Sequence, residues 1–136
     1  MIALAVDSSN TRGMGHLFRS LLLVKYLKEK RIEFLYLINN DSRSKEILEQ
    51  HGIDYSVVDY SDKSNWEEKI IREKQIDIWI NDLFETSVPM AKNIKNTGIF
   101  LALIDDIGAG EKYADIVFIG LISFSKKQFC RASIAT

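Results

Sequence analysis

The chain has 136 residues, 46% apolar and 27% charged, which reads as one globular domain able to bury a core without covalent staples. A formal net charge of −1 leaves no basic footprint for nucleic acid, and no stretch reaches the ~18 apolar residues of a membrane helix. Cys130 is the single cysteine, so an internal disulfide is excluded and a reducing, cytoplasmic setting fits; Asp7 ends the first apolar run too early for a signal peptide.

Ile2 to Asp7 is the first predicted strand. The loop Arg12-Gly13-Met14-Gly15-His16 follows and opens a helix over roughly Met14 to Lys30. On that helix Leu17, Leu21, Val24 and Lys28 form one stripe, widened by Phe18, Leu22 and Leu27. Glu33 to Ile38 is a near-continuous apolar run, the mark of a strand covered on both faces. Asp41 or Ser42 caps a second helix that runs to His51 and stops at Gly52, and Asp54 to Val58 is strand three. Trp66 to Lys74 is helix three, and Ile76 to Ile80 is strand four, ending in Asn81-Asp82. Ser87 to Lys95 is helix four, with Pro89 in its first turn and Gly98 after its end. Ile99 to Ile104 is strand five, followed by Asp105-Asp106, a Gly108-Ala109-Gly110 loop and at most one helical turn over Lys112 to Ala114. Ile116 to Ile119 is strand six. This alternation predicts a three-layer, Rossmann-like α/β domain over residues 1–122, with a parallel sheet of about six strands between helices. Residues 123–136 read as an irregular or disordered tail, which makes a truncated or fragmentary chain the expectation.

Ligands of an open parallel sheet bind beyond the carboxyl ends of its strands. Asp7 and Ser8, Asp82, and Asp105 with Asp106 all fall there, on the edge where the glycine loop opens. The alternative is that such residues only cap the helices that follow. Gly13 and Gly15 let the backbone turn and approach a ligand, and the helix start favours an anion such as a diphosphate. His16 is the catalytic candidate of the loop: a helix N-terminus favours the neutral imidazole, which is the form that accepts a proton. Its bland alternative is a histidine that only packs or bonds to backbone. Trp66 and Trp79 read as packing residues and His51 as a surface residue. A dinucleotide fingerprint fails at its third glycine, where Phe18 stands, and remains a distant alternative. A phosphate-binding P-loop lacks its Gly-Lys-Ser/Thr. A phosphoacceptor domain would need its acidic pair after strand one rather than at Asp105-Asp106.

Asp7-Ser8-Ser9, Gly13-Met14-Gly15-His16, Arg19 and Leu21-Leu22-Leu23 together resemble the opening of the UDP-sugar hydrolase of the pseudaminic acid pathway and of the related spore-coat polysaccharide biosynthesis proteins. Ile80-Asn81-Asp82, Leu103-Ile104-Asp105-Asp106 and Lys112-Tyr113-Ala114-Asp115 are similar to later segments of that family, so the resemblance runs from about Ile2 to Leu121. Ala5 and Val6 stand where the family often carries an arginine. The resemblance implies the N-terminal half of a GT-B fold, with the second domain absent from this chain. It implies a nucleotide-sugar hydrolase or glycosyltransferase of surface polysaccharide or nonulosonic acid biosynthesis, acting on a UDP-sugar without cofactor or metal. His16 would be the base that activates water for inverting attack at the anomeric carbon. Asp7, Ser8, Gly13, Met14, Gly15, Arg19, Asp82, Asp105 and Asp106 would line the substrate. The partner would be a separate C-terminal GT-B domain. The alternative is a non-catalytic sugar- or partner-binding fragment of a split enzyme.

Overall fold

Alternating apolar runs and capped helices build a sheet with helices on both faces. The computed structural model describes residues 1–8, 14–121 and 129–134, with residues 121 and 129–134 described as backbone. The strands are β1 (Ile2–Val6), β2 (Phe34–Ile38), β3 (Tyr55–Val57), β4 (Ile78–Asp82), β5 (Phe100–Ile104), β6 (Ile116–Leu121) and β7 (Phe129–Ile134). They lie in the order β3-β2-β1-β4-β5-β6-β7, and every neighbouring pair is parallel except β6 with β7. The helices are α1 (Gly15–Glu29), α2 (Ser42–Gln50), α3 (Trp66–Lys74) and α4 (Val88–Lys95), and a 3-10 turn spans Ala109–Tyr113. No helix among the described residues is long and apolar enough to cross a membrane.

The period of two along each strand divides the core. Leu4 and Val6 of β1 pack with Leu17 and Val24 of α1 and Leu48 of α2. Ala3 and Ala5 face the opposite way, with Trp79, Ile71 of α3, and Ala91 and Ile94 of α4. The helices therefore change face where the chain leaves β3 and enters β4 beside β1. That crossing is the topological switch point at which open α/β sheets hold ligands.

Local chemistry explains the element ends. The Asp41 side chain accepts from the Ser44 N–H (2.9 Å) at the start of α2, and Ser87 accepts from the Met90 N–H (3.3 Å) at the start of α4. Gly52 and Gly98 take the left-handed backbone past the ends of α2 and α4, with φ of +64° and +83°. Both tryptophans pack as expected, with ring centroids 6.0 Å apart.

Three expectations need correction. Strand four begins at Ile78 rather than Ile76, because Gln75 turns left-handed at φ +54° and the Ile76 N–H closes back onto the Ile71 carbonyl at 3.0 Å. The buried line of α1 is Leu17, Ser20, Val24 and Leu27, while Phe18 and Leu22 are 52% and 73% exposed. Ser20 sits in that line because its hydroxyl meets the Tyr36 hydroxyl (2.6 Å) and donates to the Leu17 carbonyl (2.6 Å). The stretch read as an irregular tail contains β7, antiparallel to β6 from Phe129↔Leu121 to Ile134↔Ile116. Without it, β6 would end the sheet with a row of unpaired backbone groups.

Glu67, in the first turn of α3, is 3% exposed and accepts from the Asn93 side chain at 3.0 Å. Burial is the main cause that holds its carboxyl above the usual range. A carboxyl raised in the folded state contributes stability below its unfolded value, about pH 4.3, and loses it as pH rises through the folded value. Glu67→Gln is expected to gain stability over wild type as pH rises from about 4.3 to 7.5. Urea denaturation at both ends of that range checks it, and a pH-independent difference would contradict it.

Candidate functional site at the switch point

Register brings the site together. Val6 of β1 pairs with Asp82 of β4, so the two strands end side by side, and the Asp7 N–H donates to the Asp82 carbonyl at 3.2 Å. Ile78, Ile80 and Asp82 alternate onto the face that α1 covers. The Asp82 carboxylate is therefore driven under the first turns of that helix, where it is 1% exposed. His16 and Arg19 are three residues apart on α1 and share one flank. Both reach Asp82: His16 Nδ1 and Arg19 Nη2 contact Oδ1, and Arg19 Nε donates to Oδ2 at 3.0 Å.

Arg19 also bridges to Asp105, with Nη1 donating to its Oδ2. Asp105 follows β5 in the left-handed region at φ +47°, which aspartate tolerates better than most residues. Its N–H donates to the Phe118 carbonyl (2.8 Å), and its Oδ1 accepts from the Gly120 N–H (2.5 Å). Burial works against the Arg19 charge, yet the hydrogen bonds and charges of Asp82 and Asp105 outweigh it and hold the guanidinium above its ordinary value. His16 is 15% exposed, so part of the imidazole remains open to solvent.

Other residues expected at the ligand make contacts within the protein. Ser8 is fully buried: its N–H donates to the Asn39 side chain (2.9 Å), and its hydroxyl lies 2.6 Å from that of Ser44 and 3.3 Å from Met14 Sδ. Met14 in turn packs against the α1-side core. These contacts fasten the end of β1 to the start of α2. Asp106 is 6% exposed and accepts from the N–H groups of Thr86 (2.9 Å) and Gly108 (2.8 Å) and from the Thr86 hydroxyl (2.5 Å). It staples two loops on the opposite face from Arg19. Asp7 is half-buried, and its charge, after burial, helps to push the Tyr60 hydroxyl well above its usual value. A Cβ on Gly15 would meet nothing within 4 Å among the described residues. Gly13 lies outside the described residues. Among the described residues, no cluster of three or more His, Cys, Asp or Glu could hold a metal ion.

Sequence reasoning missed the pairings. Tyr36 and Thr86 carried no signal of their own, yet Tyr36 supports Ser20 beneath α1 and Thr86 satisfies Asp106. A groove of about 540 Å³ lies instead between α1 and the turn after α2, lined by Phe18, Leu21, Leu22, Lys25, His51 and Ile53. It is mostly apolar and does not include His16.

No known family model matches the chain. Over 128 residues it is 30% identical to an uncharacterized protein of Methanocaldococcus jannaschii, covering 93% of this chain but 26% of that protein. Among solved structures, MurG of Acinetobacter baumannii matches 88% of this chain and 40% of its own, with a TM-score of 0.65 at 13% identity. That likeness shows a Rossmann-like α/β fold shared with part of MurG. The chain spans about a quarter of its curated relative (26%) and two-fifths of MurG (40%).

The loop that carries Asp105 and Asp106 depends on close backbone approach. A Cβ on Gly108 would run into the backbone N and O of Thr86, and one on Gly110 would stand 2.7 Å from the carbonyl oxygens of Thr86 and Ser87. Gly108→Ala and Gly110→Ala are each expected to cost about 1–3 kcal/mol. Gly15→Ala, whose Cβ would meet none of the described residues within 4 Å, should stay within about 0.5 kcal/mol of wild type. Chemical denaturation of the three variants checks the contrast.

Proposed function

We propose that this chain is the sugar-facing half of a nucleotide-sugar hydrolase or glycosyltransferase in which His16 is the general base. The observation that carries the reading is His16 at the opening of α1, partly exposed at the switch point, with Nδ1 engaged by the buried Asp82. Nε2 is then the nitrogen left to accept a proton. In the reaction, Nε2 takes the proton of a water or acceptor hydroxyl, whose oxygen bonds to the anomeric carbon. The bond from that carbon to the diphosphate oxygen breaks, its electron pair leaves with the diphosphate, and the configuration inverts. The N–H groups at the start of α1 carry the positive end of its dipole, and its first turn contains no acidic residue, so a diphosphate charge is favoured there.

The motif from Asp7 to Leu23 supports the UDP-sugar hydrolase of the pseudaminic acid pathway, and its spore-coat relatives, as the nearer kin, with water as the acceptor. The GT-B-type fold supports glycosyl transfer more generally. A second domain would supply the nucleotide pocket, since the chain spans 40% of MurG. The other reading is a domain that binds a sugar or a partner without turnover.

Two measurements separate these readings. Saturation-transfer NMR with a UDP-linked N-acetylated sugar, against NADH as control, is expected to show transfer to the sugar protons and little to uridine. In a chain joined to a complementing GT-B second domain, His16→Ala is expected to lower turnover by about 10²–10⁴-fold with the unfolding midpoint unchanged. Retained turnover would exclude His16 as the base.

A further inference from the structure

We infer that Asp82, Arg19 and Asp105 are positioning residues that fix the tautomer of His16, not ligands of the sugar. The inference takes its catalytic meaning from the proposed base, whereas the tautomer assignment stands on geometry alone.

An ionised carboxylate only accepts hydrogen bonds, so every group that meets Asp82 must donate. Arg19 donates to both of its oxygens, and His16 Nδ1 shares Oδ1 with Arg19 Nη2. Nδ1 therefore carries the hydrogen and Nε2 is bare. The 3.3 Å approach between Arg19 Nη2 and His16 Nδ1 is then two donors side by side on one oxygen rather than a bond between them. At 1% exposure, with both oxygens engaged, Asp82 offers no free lone pair at the surface for a sugar hydroxyl. The Arg19 guanidinium supplies the positive charge that faces this buried carboxylate from α1.

Asp105 completes the arrangement from the far side. One of its oxygens holds Arg19 and the other holds the Gly120 N–H at 2.5 Å, so the guanidinium is anchored to the β5–β6 end of the sheet. Two carboxylates against one guanidinium leave one negative charge beside the imidazole. The proton that Nε2 collects would neutralise it, which favours the transition state over the resting state.

The test is the ring-nitrogen spectrum of the full chain at about pH 8.5, two units above the ordinary imidazole value. The chain has two histidines, and His51 is held apart, with Nδ1 2.8 Å from the Ile47 carbonyl, so its signals report that the fold persists. Wild type is expected to show His16 protonated at Nδ1. Asp82→Ala should move the proton towards Nε2, and Asp105→Asn should do so in part, with His51 unchanged. If Asp82→Ala fails to fold, wild type and Asp105→Asn still decide. His16 protonated at Nε2 in wild type, or no response in Asp105→Asn, would overturn the inference. In the two-domain enzyme, Asp82→Ala should lower kcat by about 10²-fold or more with KM unchanged. A raised KM at constant kcat would make Asp82 a substrate ligand instead. Turnover that survives His16→Ala while the tautomer is as expected would remove the base and leave the positioning network intact.

Discussion

A polar group withdrawn from water costs free energy unless hydrogen-bond partners replace the water it loses. The Asp82 carboxylate is 1% exposed and met on both oxygens, and the surrounding architecture follows from that demand. It ends β4 beneath α1, where its donors are two side chains from the helix that begins after β1. The contact fixes how the start of α1 sits over the junction of β1 and β4. Arg19 extends the same constraint to Asp105 and the end of β6. The N-terminal end of one helix is thereby tied to three strand ends. A base placed there has little freedom to wander, the condition under which a positioned imidazole is effective.

The two aspartates after β5 show how one backbone turn divides labour. Asp105 takes a left-handed conformation and directs its carboxylate to the α1 side, where it holds Arg19. Asp106, its immediate neighbour, is buried on the α4 side and joins the loop after β4 to the 3-10 turn. One shapes the candidate site and the other shapes the loop that presents it. Ser8 and Met14, on either side of the first loop, both face inward, while His16 keeps part of its ring open to solvent.

Much of this fold is legible in the residue order because its signals are local. Apolar runs such as Phe34–Ile38 announce covered strands. Asp41, Ser87, Gly52 and Gly98 mark helix ends by bonds or dihedrals within a few residues. Ambiguous local signals leave other features open. In α1 apolar residues occur nearly all round, so periodicity alone does not reveal that Ser20, rather than Phe18 or Leu22, faces inward. The β7 strand follows a polar stretch without strand periodicity and takes its place from the open edge of β6, a partner that exists only once the sheet has formed.

The same distinction runs through the site. Residue order alone determined the alternating α/β class, a helix opening near Met14 and the set of acidic side chains at strand ends, since each is a matter of short-range periodicity, capping or spacing. Only tertiary structure decided which acid serves which partner. His16 and Asp82 are 66 residues apart, and Arg19 and Asp105 are 86 apart. They meet because the strand order sets β4 beside β1 and β5 beside β4, and because the parity of β4 directs Asp82 towards α1. Strand order depends on the packing of the entire sheet, and no local window of the chain contains it.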